Sequence, residues 1–133
     1  MKTVNLILII HKDKDKVLMC HRQKDPYKGK YNFVGGKLEN DESNLSGAYR
    51  ELYEETGISQ KDVEIKPLFF TQYFEDALEL QVYYGYLKDD VTLKEEIHPL
   101  LWVDMSEDFR HDKFAGHGNI EHMISILKLW HYK

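Results

Sequence analysis

The segment from Ser43 to Thr56 carries an apolar stripe and an acidic face at one helical period, and that pairing limits the folds open to this chain. Leu45, Tyr49, Leu52 and Thr56 recur at helical spacing, which predicts one buried stripe. Gly57 follows where a helix commonly ends in a left-handed residue. At roughly 100° per residue, Glu51, Glu54 and Glu55 fall within about 100° of arc on a different face. Like charges at these spacings destabilise a helix by roughly 0.2–0.5 kcal/mol per pair, and near the C-terminal end they also oppose the helix dipole. A purely structural helix has no reason to concentrate acid there. Hard divalent cations such as Mg²⁺ supply one, because they take oxygen ligands from a few carboxylates together with substrate phosphates. A solvated acidic face is the alternative. Gly47 and Ala48, one turn earlier, leave room for a ligand or a neighbouring backbone.

Around this helix the pattern is that of strands. Residues 3–10 are largely β-branched and aliphatic, interrupted by Asn5, and a charged turn from Lys12 to Lys16 leads to Val17–Cys20, which reads as a hairpin. Tyr31–Val34 predicts a short strand ending at Gly35–Gly36, where a double glycine permits a sharp turn or a close approach. Residues 63–74 and 78–88 flank the acidic tip Glu75–Asp76, and Leu100–Val103 gives a further strand. The last helix starts near Asn119, read as its N-cap, with Glu121 in the first turn and Ile120, Met123, Ile124, Leu127 and Trp130 on one side. Strands, a helix, more strands and a closing helix imply an α/β chain with a mixed sheet packed between helices.

Composition narrows the partners. The 133 residues suffice for one domain with a single core. A net charge of −5 argues against a protein that holds nucleic acid by its backbone. Four of those five excess negative charges lie in residues 36–58, where Lys37 and Arg50 face Glu39, Asp41, Glu42, Glu51, Glu54 and Glu55. No apolar run approaches the roughly 20 residues of a membrane helix, and no signal peptide is evident. The single Cys20 implies a reducing compartment, so a cytoplasmic location is expected. The seven histidines give no metal-ligand spacing: neither His117 with His122 nor His11 with His21 fits one. Cys20 is expected in the core or in a pocket wall.

Residues 36–58 fit Gly-x5-Glu-x7-Arg-Glu-U-x-Glu-Glu-x-Gly-U, with U aliphatic, at every fixed position. In this the chain resembles the Nudix (MutT-type) hydrolases, and average composition gives a chance match on the order of 10⁻⁷. The box covers only these residues, but the flanking order of elements also resembles the family, whose fold is an α/β/α sandwich around a mixed sheet. The resemblance implies a single Nudix domain over residues 1–133 that uses Mg²⁺ or Mn²⁺ and water to hydrolyse a nucleoside diphosphate linked to another group. It further implies that Glu51, Glu54 and Glu55 are metal ligands, that one of them takes the proton of the attacking water, and that Gly35 offers its backbone carbonyl to the metal. Arg50 is expected to pair with Glu42 and hold the catalytic loop against the helix, or simply to pair with Glu54 within it. Glu96, in the run Glu95–Glu96–Ile97–His98–Pro99 before Trp102, resembles a further acid of purine-sanitising members.

Substrate cues are finer. Arg22 and Lys37 are candidates for phosphate contacts or plain surface charges. Asn32, three residues before the paired glycines, resembles a residue of the animal-type 8-oxo-dGTP hydrolases, and its amide offers a donor and an acceptor to a purine edge. Asn119 stands where bacterial-type members place a base-reading Asn. The coenzyme A signature is absent, and Pro67 lies too close to the box for the proline of ADP-ribose hydrolases. Tyr73 is near the position of a tyrosine linked to dinucleoside polyphosphates, and Tyr73, Phe74 and Tyr83 are candidates to stack a base or to fill the core. The resulting expectation is hydrolysis of a nucleoside triphosphate, such as 8-oxo-dGTP, to the monophosphate and pyrophosphate. Another diphosphate (ADP-ribose, a nucleotide sugar or a dinucleoside polyphosphate) and a non-catalytic nucleotide-binding module are the alternatives.

Overall fold

The computed structural model describes residues 1–11, 13, 15–116 and 118–130, with Trp130 described by its backbone alone. The expectations for Lys12 and Lys14 in the first turn, for His117 and for the Trp130 side chain lie outside the described residues. In chain order the elements are β1 (Lys2–Ile10), β2 (Lys16–His21), β3 (Tyr31–Asn32), β4 (Val34–Lys37), α1 (Asn44–Thr56), β5 (Lys66–Tyr73), β6 (Leu78–Tyr86), β7 (Leu100–Asp104) and α2 (Asn119–Trp130). A single 3₁₀ turn at Phe74–Asp76 joins β5 to β6.

β1 is the spine because its residues are apolar on both sides, as a strand between two layers requires. β6 runs parallel to it from Lys2↔Leu78 to Ile10↔Tyr86, and β5 pairs antiparallel with β6. The other edge of β1 is shared: β4 takes Val4–Ile7, and β2 joins at Ile10↔Val17. β2 continues outward to pair with β3 and with β7. Alternation along β1 feeds two cores. Ile7 and Ile9 pack with Leu18, Cys20, Val34, Ala48 and Leu52 under α1, whereas Leu8 and Ile10 pack with Met19, Phe33, Ile120, Met123, Ile124 and Leu127 under α2. The result is a single-domain α/β/α sandwich around a mixed sheet.

Three local readings are corrected. The strand expected at 31–34 is two strands separated at Phe33, and the paired glycines lie inside β4 rather than after it. Here Gly35 has φ +149°, and a Cβ would fall 2.1 Å from the Asn5 carbonyl oxygen, so β4 can lie against β1 only with glycine at this position. Asn119 is the first residue of α2 and not its cap, because the Gly118 carbonyl accepts the first helical bond, from the His122 N–H at 3.2 Å. In α1 the buried face is Gly47, Ala48, Leu52 and Thr56, while Leu45 is 46% exposed. The small pair Gly47–Ala48 lets the helix approach on that side, which rolls Leu45 outward and the acidic face inward.

Candidate active site

α1 has locally encoded ends. The Ser43 side chain accepts a hydrogen bond from the Ser46 N–H at 3.2 Å, and Gly57 terminates the helix at φ 80° with its N–H on the Tyr53 carbonyl. Buried Thr56 is satisfied, donating to the Leu52 carbonyl at 2.7 Å and accepting from the Ile58 N–H at 3.0 Å. Fixed in this way, the helix lays its acidic face over the glycines of β4. A Cβ on Gly36 would meet the Glu51 carboxylate oxygen at 2.3 Å, so the missing side chain is the space the carboxylate uses. The room at Gly47 is taken by the Leu38 and Glu42 side chains rather than by a ligand or backbone.

Arg50 organises the loop before the helix. Its guanidinium donates to both Glu42 oxygens at 2.8 Å, to Glu51 at 2.8 Å, to Glu54 at 2.9 Å and to the Lys37 carbonyl at 3.0 Å. It therefore makes both the loop pairing and the intrahelical pairing read from sequence. Glu42 also accepts from the Glu39 N–H at 2.7 Å. The Arg50 hydrogen bond holds the Glu42 carboxyl down at about 2, and Glu42 in turn raises the guanidinium pKa above its ordinary value.

The three helix glutamates are not equivalent. Glu54 is half exposed. Glu51 is partly buried, and burial raises its pKa against the pull of Arg50. Glu55 is pushed up to about 8, first by burial and then by the charge of Glu51, with the Gly35 backbone and Arg22 opposing. All three line a cavity of about 240 Å³ together with Glu96, Ile97 and His98. Glu95 does not line it: its carboxylate accepts the Leu100 N–H at 2.7 Å, closing the turn from which Glu96 projects. Cys20 is buried beneath, and burial and Glu55 push its thiol up to about 11.

The remaining candidates are spread more widely. Arg22 follows β2, donates to the Pro26 carbonyl at 3.2 Å and is near enough to affect Glu55. Lys37 is exposed at the end of β4. Asn32 pairs with Cys20 across β2 and β3, on the α1 face, and its side-chain oxygen accepts the Phe33 N–H at 2.8 Å. Asn119 is exposed at the start of α2, its side chain against Gly116. Tyr83 belongs to the core, whereas Phe74 is 77% exposed at the β5–β6 tip and Tyr73 is partly exposed. Sequence reasoning missed His98, whose Nδ1 accepts the Gln23 N–H at 2.9 Å and so ties the loop after β2 to the turn carrying Glu96. Burial and the charges of Arg22 and Lys24 hold His98 below the ordinary histidine value. No local pattern signals that contact, since the two residues are far apart in the chain.

A mixed sheet between two helices, with this Arg–Glu helix over paired glycines, is the arrangement of the Nudix fold. The Nudix-domain family model matches residues 1–121, and the chain belongs to that family of hydrolases. Among solved structures it is similar to the MutT protein from Methanosarcina mazei Go1, with 23% identity, 96% of this chain and 94% of that chain covered, and a TM-score of 0.72. It is similar to the Nudix domain of Shewanella oneidensis NrtR complexed with ADP ribose, with 17% identity, 96% and 86% covered, and a TM-score of 0.76. A C. elegans Ap4A hydrolase aligns at 17% identity over 97% of this chain and 98% of that one, with a TM-score of 0.69. At these identities the shared property is the fold.

Nudix hydrolases generally use divalent metals such as Mg²⁺ or Mn²⁺. The donor set here fits such an ion: it consists of hard carboxylate oxygens, one of them on a part-buried glutamate whose charged form is disfavoured by desolvation. Among the described residues no three side chains are already gathered around one point at metal-binding distance; Arg50 draws Glu51 and Glu54 to its own guanidinium. No helix among the described residues is long and apolar enough to cross a membrane.

Proposed function

We propose that residues 1–133 form one Mg²⁺- or Mn²⁺-dependent pyrophosphohydrolase that cleaves a nucleoside triphosphate, with 8-oxo-dGTP as the leading candidate, to the monophosphate and pyrophosphate. The observation that carries this reading is the part-buried, desolvated Glu55 beside Glu51, in one cavity with Glu54 and Glu96. Packing acid together in this way is unfavourable unless a cation compensates it. Glu51, Glu54, Glu55, Glu96 and the Gly35 carbonyl would hold the metal, whose charge polarises phosphoryl oxygens and acidifies the attacking water. One of the three helix glutamates takes that water's proton on a carboxylate oxygen. Arg50 keeps Glu42, Glu51 and Glu54 in register and so positions the others. Arg22 and Lys37 meet phosphate oxygens, where a positive charge offsets what develops during phosphoryl transfer. With its oxygen engaged by Phe33, Asn32 presents its amide N–H₂ to an acceptor on the base; Asn119 is the second candidate for that role.

The alternative substrates are ADP-ribose, a nucleotide sugar or a dinucleoside polyphosphate. The complex of NrtR with ADP ribose and the Ap4A hydrolase favour keeping the first and last of these. A product screen with 8-oxo-dGTP, dGTP, ADP-ribose and dinucleoside polyphosphates, in Mg²⁺ and in Mn²⁺, decides among them. Triphosphate turnover releasing pyrophosphate is expected, with Glu54→Gln inactive but folded, because Glu54 is half exposed. Full activity in Glu54→Gln would remove the assigned role, and nucleotide binding with no turnover in either metal would favour a binding module.

A further inference from the structure

Asn5 interrupts the otherwise aliphatic run from Val4 to Ile10 in β1, and it is only 1% exposed. Its side-chain oxygen accepts the Gly36 N–H at 3.1 Å, while its Nδ2 is buried with no partner. A buried, unpaired amide donor costs stability, and an aliphatic residue would avoid that cost. Neighbouring Gln81, also buried and paired with Asn5 across β1 and β6, does not relieve it; its own oxygen faces the Tyr83 hydroxyl. The Asn5 bond has a geometric consequence. The Gly35 carbonyl and the Gly36 N–H belong to one planar trans peptide and point in opposite directions. A Gly36 N–H held by the Asn5 amide therefore turns the Gly35 carbonyl away from β1. The Asn5 main-chain oxygen also stands where a Gly35 Cβ would be, so one residue controls both glycines.

We infer that Asn5 is a positioning residue that sets the Gly35–Gly36 peptide for metal binding, with its free Nδ2 as a further donor beneath the carboxylates. This rests on the proposed metal-dependent reading. The test is thermal unfolding of the full chain titrated with Mn²⁺ after chelator treatment, on wild type, Asn5→Val and Asn5→Thr, alongside steady-state kinetics at saturating metal. Asn5→Val removes both hydrogen-bonding groups but suits the strand, whereas Asn5→Thr keeps an oxygen acceptor. In chelator Asn5→Val is expected to be at least as stable as wild type. Its Mn²⁺ midpoint should rise about tenfold, and kcat should fall with KM little changed. Asn5→Thr should recover part of the metal response. A wild-type Mn²⁺ midpoint in Asn5→Val, or equal impairment of both variants, would overturn the inference. If Asn5→Val does not fold, a wild-type midpoint or no metal response in Asn5→Thr overturns it, and a reduced response supports it. Absence of any Mn²⁺ shift in wild type would count instead against the metal reading itself.

Discussion

Glu55 makes the metal-free protein sensitive to alkali in a way that can be worked out in advance. Its carboxyl titrates at about 8 in the fold, against an ordinary 4.5. Between these values the unfolded chain has lost the proton and the folded chain retains it, so stability falls as pH rises through the folded pKa. Glu42, shifted to about 2, loses its contribution only in acid and is constant across this range. His98, shifted down, has the opposite slope but acts at and below its ordinary value of 6.5. From about pH 6.5 to about pH 8.5 Glu55 therefore dominates, with Cys20, raised from 9.0 to about 11, adding a small loss of the same sign only at the upper end. Integrating Glu55 over this window gives a loss of about 2 kcal/mol. For a chain of this size that corresponds to a fall in Tm of roughly 6–10 °C. The assay is thermal unfolding in chelator across this window for wild type and Glu55→Gln, repeated in saturating Mg²⁺. Wild type should lose stability with pH in chelator and recover in metal, and Glu55→Gln should be nearly flat. An equal downward slope in Glu55→Gln would refute the reasoning, because the titrating group would then be another residue.

The same protonation has a calorimetric signature. At pH 7 a carboxyl with a pKa near 8 is about nine-tenths protonated, so loading Mg²⁺ should release close to one proton, measured from the binding heat in buffers of different ionisation enthalpy; Glu55→Gln should release almost none. The paired glycines should respond differently to a methyl group. Gly35→Ala collides with the Asn5 backbone and is expected to lower stability by about 3 kcal/mol or more in urea unfolding. Gly36→Ala displaces only the end of the Glu51 side chain, so it should stay within about 1 kcal/mol of wild type yet lose at least about tenfold in turnover.

Whatever is encoded by neighbours in the chain could be read from sequence. The ends of α1 follow from a capping serine and a left-handed glycine, each acting within one turn. The Arg50–Glu42 pair was implied by the resemblance to the family motif beside an intrahelical pair with Glu54, and β1 follows from an apolar run that suits both faces of a sheet. The expected helix stripe failed at Leu45 because periodicity fixes angles around the helix axis and not how the helix is rolled against the sheet. That roll depends on Gly47, Ala48 and the glycines of β4 acting together. Asn5 was visible as a break in an aliphatic run, but its bond to Gly36 joins strands far apart in the chain.

By itself the sequence determined that three carboxylates share a helix face, that Arg50 stands among them, and that glycines precede them. Tertiary structure alone decided that Glu55 is part-buried and desolvated while Glu54 is half exposed, that Glu96 rather than Glu95 joins their cavity, and that His98 ties the loop after β2 to the turn carrying Glu96. The physical reason is that spacing sets direction, whereas the protonation of an acid depends on desolvation and on charges brought close only by the folded chain.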